Sequence, residues 1–475
     1  MEYVIAAAAF SAAFAAARIH LYILSGAVLI AVAAWLYYVY YKRSGVLFHP
    51  AALFSLAWVG GAGVSALKLS RLQADWVPVT WLCIFLAWLF FAAAFQFGTG
   101  LFGKQEKTRE KAQEKAQETA DETFASGESS ADCCRRAGRL LTCMIAVTAV
   151  SAAAFLLEAF LLGYIPLFTK DTPHAYSYFH ISGVHYFTVS CVLVPSLLVL
   201  YADSLKAHCD ILGDAHGCLY GKWLFPRLIC LGHGRELFLA LLCTFLSFCI
   251  PLLCVSRFQL IFSVLLAVFT KGALSGKTAL NRRQLISAGL LLLCLIPLYV
   301  GLSIARAHDV SYLNGIFEMK NPDMPIFFTQ PYMYIANNYD NLNCLIRALP
   351  EGGHTFGLRM LFPLWAFTGL KFLVPSLVNF PLYVTKEELT TVTLFYDAYY
   401  DFGLIGVILF AMLLGGVSGL FFSRAKSARG PAFYLIYAQL CFYLLFSFFT
   451  TWFSNPATWF YFGVSMLIGL FLWRR

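Results

Sequence analysis

Long, uninterrupted apolar runs are the feature that most constrains this chain. Several approach or exceed ~20 residues, the length at which an α-helix crosses the hydrocarbon core of a bilayer. Hydrophobic residues occupy 60% of the 475 positions and charged residues only 12%, whereas a soluble domain carries about 25% charged residues. Because lipid offers the backbone no hydrogen-bond partners, only helices and closed barrels span it. The runs are continuous rather than alternating, so the sequence predicts an all-α, polytopic transmembrane helical bundle.

The apolar runs predict about twelve spans. The predicted spans are 3–17, 20–41, 51–67, 79–101, 139–162, 184–202, 237–254, 258–271, 285–304, 400–422, 432–450 and 457–473.

Two of these regions allow more than one arrangement. Residues 3–41 fit either one long kinked helix or a hairpin that turns at Arg18–His20. Residues 237–271 would be about 50 Å long as a single helix. We therefore divide them into two short helices that turn at Ser256–Arg257.

Short basic clusters predict the orientation. With twelve spans, the clusters at 42–43, 271–283, 424–429 and 474–475 all fall on one side. The positive-inside rule makes that side cytoplasmic, together with both termini. The net charge of +9 is therefore a topology signal, and nucleic acid is not predicted as a partner.

The spans and charges together divide the chain into five regions. A charged segment beginning KQEKTREKAQEKAQETADE has the i,i+4 Glu–Lys pairs of a solvated helical linker, with a partner-docking role as the alternative. The regions are N-terminal transmembrane helices at 1–103, the charged cytoplasmic linker at 104–138, transmembrane helices at 139–304 with an outward loop at 163–183, a large outward loop at 305–399, and C-terminal transmembrane helices at 400–475.

Two strings look like ligand sites but lack the required spacing. KGALSGKT at 271–278 has three residues, not four, between its two glycines, and no soluble strand precedes it. His208, Cys209, His216 and Cys218 fit no standard zinc pattern. The sequence therefore predicts no metal site and no cofactor.

The segment 330–347 of the large loop, QPYMYIANNYDNLNCLIR, is dense in aromatic and amide side chains. Aromatic rings stack on apolar sugar faces, and amides pair with sugar hydroxyls. The segment is therefore a predicted sugar-binding surface, although a polar stretch that caps its own backbone has the same composition. The candidate substrate-binding residues here are Tyr334, Asn337, Tyr339 and Asn341.

Arg257 is the most informative single charge. It lies between two apolar runs at the predicted outer edge of the membrane, where basic residues are least expected. A guanidinium can hold a diphosphate through two parallel hydrogen bonds. The alternative is that its long side chain snorkels to the lipid headgroups.

Further ionisable candidates lie late in the large loop. His354 fits a general base near neutral pH, with an ordinary loop histidine as the alternative. Asp397 and Asp401 share one face if their segment is helical, and Asp401 enters an apolar span. A carboxylate there is a functional candidate, and an acid at a helix N-terminus is the alternative. Arg347 and Arg359 are candidate substrate-binding cations.

The shorter outward loop supplies one more candidate, His174. It stands among Lys170, Asp171, His180 and His185, whose spacing fixes no particular chemistry. We include His174 as a substrate-binding residue because of its position only.

Several of these strings resemble landmarks of Wzy-type O-antigen and oligosaccharide repeat-unit polymerases. YDAYYDFGLIGVILFAMLLG resembles the end of the large loop and the following span in that family, and YMYIANNYDNLNCLI resembles its tyrosine- and asparagine-rich segment. GYIPLF and VSRFQLIFSVLLAVF resemble two earlier landmarks, and the order is kept over most of 139–422. Arg257, Asp340, Asn341, Asp401 and Gly403 match family positions, whereas His354 and Arg347 rest on position alone.

The resemblance implies a fold similar to the O-antigen polymerases and ligases of the bacterial inner membrane. It implies transfer of a growing glycan from undecaprenyl diphosphate to the sugar end of a new lipid-linked unit, on the outer face. Arg257, Asp401, Asp340 and His354 are then the predicted catalytic residues. The bilayer and the lipid-linked oligosaccharide are expected partners, and a chain-length regulator protein is a further candidate. A lipid-oligosaccharide flippase and an O-antigen ligase are the alternatives.

Overall fold

The computed structural model describes residues 1–118, 130–169, 175–216, 234–275, 315–349, 352–424 and 430–473. Within these ranges the regular structure is helical, apart from one isolated bridge between Ser70 and Met319. The longer helices are α1 (Glu2–Arg18), α2 (Tyr22–Ser44), α3 (Pro50–Ala66, with a π-helical turn at Ser55–Val59), α4 (Pro78–Glu118), α5 (Ser130–Leu162), α6 (Val184–Val189 continued through a 3₁₀ turn into Val194–His216), α7 (Gly234–Leu253), α8 (Arg257–Ser275), α9 (Ile326–Ala348), α10 (Tyr396–Arg424), α11 (Pro431–Leu445) and α12 (Pro456–Trp473).

Eight of the described helices are long and apolar enough to cross a bilayer, namely α2, α4, α5, α6, α7, α8, α10 and α12. The helices α3 and α11 are apolar but shorter. The described part of the chain is therefore helical with several candidate membrane spans, which confirms the predicted all-α, multi-pass membrane class. The predicted count of about twelve spans and the similarity to the O-antigen polymerases and ligases are not confirmed. The predicted span at 285–304 and the candidate His174 lie outside the described residues.

The two regions for which the sequence allowed more than one arrangement both form pairs of helices joined by a short turn. α1 ends at Arg18 and α2 begins at Tyr22, so residues 3–41 turn where the second alternative placed the turn. α7 ends at Leu253 and α8 begins at Arg257, so residues 237–271 form two helices.

The region predicted as a large loop contains a long helix. Residues 326–348 form α9, and Asn338, Asp340 and Asn341 within it are at most 2% exposed. The predicted outward loop therefore contains a buried helix in this part of the chain. Hydrophobic periodicity did not reveal α9, because buried polar residues are interspersed with the buried apolar residues Met333, Ala336, Tyr339, Leu342 and Leu345. We call the end of the bundle where α9 packs the α9 end.

Glycines bring α4 and α10 into close contact. A Cβ at Gly415 would lie 2.2 Å from the Phe91 carbonyl oxygen, and one at Gly419 would lie 2.4 Å from the Phe95 carbonyl oxygen. Small residues at such crossings let helix backbones approach, and dispersion then supplies the attraction that the hydrophobic effect cannot supply within lipid.

We predict that Gly415→Ala destabilises the protein by about 1–3 kcal/mol, because the added methyl group forces α4 and α10 apart. Gly416→Ala is the matched control, since a Cβ at Gly416 meets nothing within 4 Å. Melting temperatures of the two variants in detergent micelles provide the measurement. Equal melting temperatures would contradict the packing argument.

Candidate functional site

A break in α10 creates the first part of the site. Gly403 has φ 60° and ψ −147°, a conformation open almost only to glycine. The break leaves the carbonyls of Tyr400 and Asp401 available, and the segment before α10 uses both. The Phe356 amide donates to the Asp401 carbonyl at 3.1 Å, and His354 Nδ1 lies 3.0 Å from the Tyr400 carbonyl oxygen. These two contacts hold the segment 354–356 against the kink in α10.

The Asp401 carboxylate holds this loop in place. The side chain is fully buried and accepts hydrogen bonds from the Thr355 hydroxyl, the Arg359 amide at 3.2 Å and the Met360 amide at 2.8 Å. Both carboxylate oxygens are engaged, as burial of a charged group requires. The structure therefore gives Asp401 a positioning role, and the expectation that it acts as the base is not supported by this geometry.

Arg359 and Asp397 form an ion pair beside Asp401. Arg359 Nε lies 2.7 Å from Asp397 Oδ1, and the two side chains are 16% and 7% exposed. The guanidinium carbon lies 4.5 Å from the centre of the Tyr400 ring, which adds a cation–π contact. Because Nε–H is one of five donors, the guanidinium keeps capacity for a second, anionic partner.

His354 completes the group that we call the 354–401 cluster, made of His354, Arg359, Asp397 and Asp401. The carbonyl of Tyr400 can only accept, so His354 Nδ1 is the donor in their 3.0 Å contact. In the neutral ring Nε2 is then an acceptor, as a general base requires. A Cβ at Gly403 would lie 3.4 Å from Nε2, so the glycine also leaves room for this nitrogen.

The amides of α9 cross-link the protein rather than forming an open surface. Asn338 donates to the Phe448 carbonyl at 2.8 Å, and Asn341 donates to the carbonyls of Leu389 and Thr391 at 2.7 and 2.8 Å. These amides therefore bond the backbone of distant segments, which differs from a polar stretch that caps its own backbone. Tyr339 and Asn337, two of the predicted sugar-binding residues, are buried as well. The Tyr339 hydroxyl donates to the Trp58 carbonyl, and the Asn337 amide oxygen accepts from the Thr385 hydroxyl.

Asp340 is also fully occupied. Its carboxylate accepts from Lys68 Nζ, the Ser65 hydroxyl, Gln73 Nε2 and Trp76 Nε1. Burial lowers the pKa of the Lys68 ammonium, and the neighbouring carboxylate opposes that shift without overcoming it. These contacts give Asp340 a structural role, since they join α9 to the segment after α3, and its catalytic role stays a prediction.

Arg257 and Tyr334 are brought together at the α9 end. Arg257 begins α8, is 6% exposed, and its Nη2 lies 3.5 Å from the Tyr334 hydroxyl. A guanidinium enclosed to this degree is not snorkelling to the headgroups. Arg257 and Tyr334, which the sequence analysis selected in separate segments, therefore lie next to each other.

Arg347 does not join the buried groups. It is exposed in the last turn of α9, where a cation complements the negative end of the helix dipole. Its predicted contact with substrate has no structural counterpart among the described residues.

Glu158 is a buried acid that the sequence analysis did not select. It is fully buried in α5 and accepts from the Ile181 amide at 2.9 Å and the Thr188 hydroxyl at 2.7 Å, with His185 Nδ1 at 3.1 Å. It therefore fixes the chain between the shorter loop and α6. Its position inside the apolar run FLLEAFLL was the signal, because a carboxylate there needs partners.

Comparison with known proteins adds no relative: no protein-family model, no curated protein and no solved structure matches this chain.

We predict that Asp340→Ala destabilises the protein by about 3–5 kcal/mol, because it leaves a buried ammonium without its counter-ion. Adding Lys68→Met should recover part of that loss. The control is Asp323→Ala at an exposed position of the same region. Melting temperatures in detergent test this order, and a double variant less stable than Asp340→Ala would contradict it.

Proposed function

We propose that this protein is a membrane glycosyltransferase that polymerises undecaprenyl-diphosphate-linked oligosaccharide units into a surface polysaccharide. The reaction takes place on the outer face of the bacterial cytoplasmic membrane, and both termini are cytoplasmic. The observation that supports this most directly is the 354–401 cluster. Four predicted site residues meet around the start of α10. The Arg359 guanidinium pairs with Asp397, the Arg359 backbone amide donates to Asp401, and the His354 imidazole contacts the Tyr400 carbonyl.

The donor diphosphate is the natural partner of the arginines. In the transfer, the bond between the anomeric carbon and the diphosphate oxygen breaks, and negative charge develops on the leaving group. Arg359 keeps donors beyond its pair with Asp397, and Arg257 is a second buried guanidinium at the α9 end. Preorganised cations in a water-poor site stabilise such charge strongly. The donor is already activated, so the reaction needs no nucleotide.

The acceptor hydroxyl needs a base, and His354 fits this role best. Its Nδ1 is fixed by the Tyr400 carbonyl, which leaves Nε2 to accept the hydroxyl proton as the new glycosidic bond forms. Asp401 and Asp340 are excluded from this role in our proposal because protein donors occupy their oxygens. A single displacement of this kind inverts the anomeric centre.

Two alternatives use related substrates. A flippase requires a polar cavity near the middle of the membrane and commonly has repeated halves, whereas the polar clusters described above lie at one end of the bundle. An O-antigen ligase would use the same donor and a different acceptor, so the glycan products distinguish it. Single units accumulate without a polymerase, lipid-linked polymer accumulates without a ligase, and surface glycan is absent without a flippase.

We predict that Arg359→Ala and His354→Ala each reduce polymerisation in the native host by about 10²–10³-fold, because one loses charge stabilisation and the other the base. Single lipid-linked units should accumulate. Arg71→Ala, an exposed arginine, is the control and should give normal polymer. Gel analysis of surface and lipid-linked glycan provides the measurement. Normal chain length in both variants, with normal protein levels, would refute the proposed reaction.

We predict that reporters inserted at residues 120 and 323 lie on opposite sides of the membrane, with 323 outside. Position 323 is suited to this because it lies in an exposed turn before α9. An alkaline phosphatase fusion, active only outside the cytoplasm, measures the location. The same side for both positions would overturn the proposed orientation.

A further inference from the structure

A polar cleft, separate from the 354–401 cluster, lies at the α9 end beside the turn between α1 and α2. Its volume is about 270 Å³, and its wall includes Arg18, His20, Lys68 and Asp75 together with the rings of Trp76 and Trp81. None of these residues belongs to the 354–401 cluster. The cleft is slightly smaller than the roughly 300–1,000 Å³ of typical ligand pockets, so it suits a compact headgroup rather than an oligosaccharide.

Two strained residues supply side chains to this cleft. His20 follows the end of α1 with φ 59°, and Lys68 follows the end of α3 with φ 52°. Helices commonly finish with glycine in this left-handed conformation. Any other residue there is conformationally strained. Both helix ends therefore carry a side chain where the backbone conformation favours glycine.

A chain of hydrogen bonds orients the rim. The Tyr22 hydroxyl donates to Asp75 Oδ1 at 2.8 Å, and His20 Nδ1 lies 2.7 Å from the same hydroxyl. Because Tyr22 gives its proton to Asp75, His20 Nδ1 is the donor in the second contact. This directs the Asp75 carboxylate toward Tyr22.

The remaining charge of the cleft favours an anion. Arg18 is exposed at the rim, and Lys320 Nζ lies 5.5 Å from the centre of the Tyr22 ring. Lys68 is paired with Asp340, whereas the Tyr22 hydroxyl bonds Asp75 without cancelling its negative charge. Arg18 and Lys320 together carry two positive charges against the single negative charge of Asp75. An arginine at such a rim holds a phosphate through two parallel hydrogen bonds.

The surroundings indicate that this phosphate belongs to a lipid. Ile19 and Leu21 lie in the turn itself, and Ile23 and Leu24 begin α2; all four are exposed, at 66%, 49%, 75% and 53%. Apolar side chains exposed on a membrane helix meet acyl chains. A ligand with its phosphate at Arg18 can lay an apolar tail along α2 without leaving the bilayer.

We propose that this cleft binds the phosphate-bearing headgroup of a membrane lipid, with Arg18 as its principal contact. The inference does not depend on the polymerisation reaction, because it concerns retention of a lipid and needs no turnover. The lipid phosphate has two sources, an ordinary phospholipid or a polyprenyl phosphate, and the experiment separates them.

The experiment uses native mass spectrometry of the full chain in detergent, titrated with dioctanoyl phosphatidic acid, dioctanoylglycerol or a short polyprenyl phosphate. We expect phosphatidic acid to bind and dioctanoylglycerol to be retained at least ~10-fold more weakly, since a charge-assisted hydrogen bond contributes about 1.5–3 kcal/mol. Polyprenyl phosphate that binds tightly and displaces phosphatidic acid identifies the polyprenyl lipid as the source. Equal affinities identify a general phospholipid site.

Three variants test the contacts. Arg18→Gln should weaken phosphatidic acid binding at least ~10-fold, since it removes the charged donor. Asp75→Asn should strengthen it, because a nearby negative charge is lost. Arg71→Gln, an exposed cation on the α3–α4 connection that is not part of the cleft wall, should leave it unchanged. Melting temperatures confirm that each variant is folded.

The proposal fails if dioctanoylglycerol binds as well as phosphatidic acid, or if folded Arg18→Gln binds normally. It also fails if Asp75→Asn weakens binding, because the cleft would then recognise a cation. Loss of polymer in Arg359→Ala with normal lipid retention leaves the lipid site intact and concerns only the proposed reaction.

Discussion

The structure depends on the burial of polar side chains from α9 within an apolar bundle. A helix carrying Asn338, Asp340 and Asn341 on its inner face can be buried only if every amide and carboxylate finds a partner. Lys68 and Trp76 satisfy Asp340, and backbone carbonyls satisfy the asparagines. These bonds attach α9 to the segment after α3, to the chain before α10 and to the connection after α11.

The same physical rule shapes the 354–401 cluster. The kink at Gly403 releases two carbonyls, and the buried Asp401 carboxylate requires donors, so the loop at 354–360 wraps around the start of α10. Arg359 and His354 are fixed as a consequence. A buried carboxylate that looks catalytic in a sequence can therefore support the groups that act, because protein donors occupy both its oxygens.

The 354–401 cluster and the cleft at Arg18 differ in the ligands that their chemistry suits. The cluster of His354, Arg359 and Asp397 has the chemistry to grip an anion and accept a proton. The cleft at Arg18 has the charge and the apolar flank of a lipid site. Both lie at the α9 end, and both arise where helix ends or kinks leave backbone groups to be satisfied. At such ends the backbone groups need partners other than the helix's own hydrogen bonds, which brings polar side chains together there.

Much of the fold was predictable, because a helix needs a long apolar run to cross the bilayer and such runs are recognisable in the sequence by their length. The hairpins at 3–41 and 237–271 follow from the same rule, and so does the functional interest of Arg257 and Asp401 as charges at membrane edges. By contrast, α9 was not predicted from hydrophobic periodicity, because buried asparagines and Asp340 are interspersed with its buried apolar residues and need distant hydrogen-bond partners. Only the tertiary structure decided which polar residues are buried supports and which face outward. The physical reason is that hydrogen-bond partners such as Lys68 and Asp340 lie hundreds of positions apart.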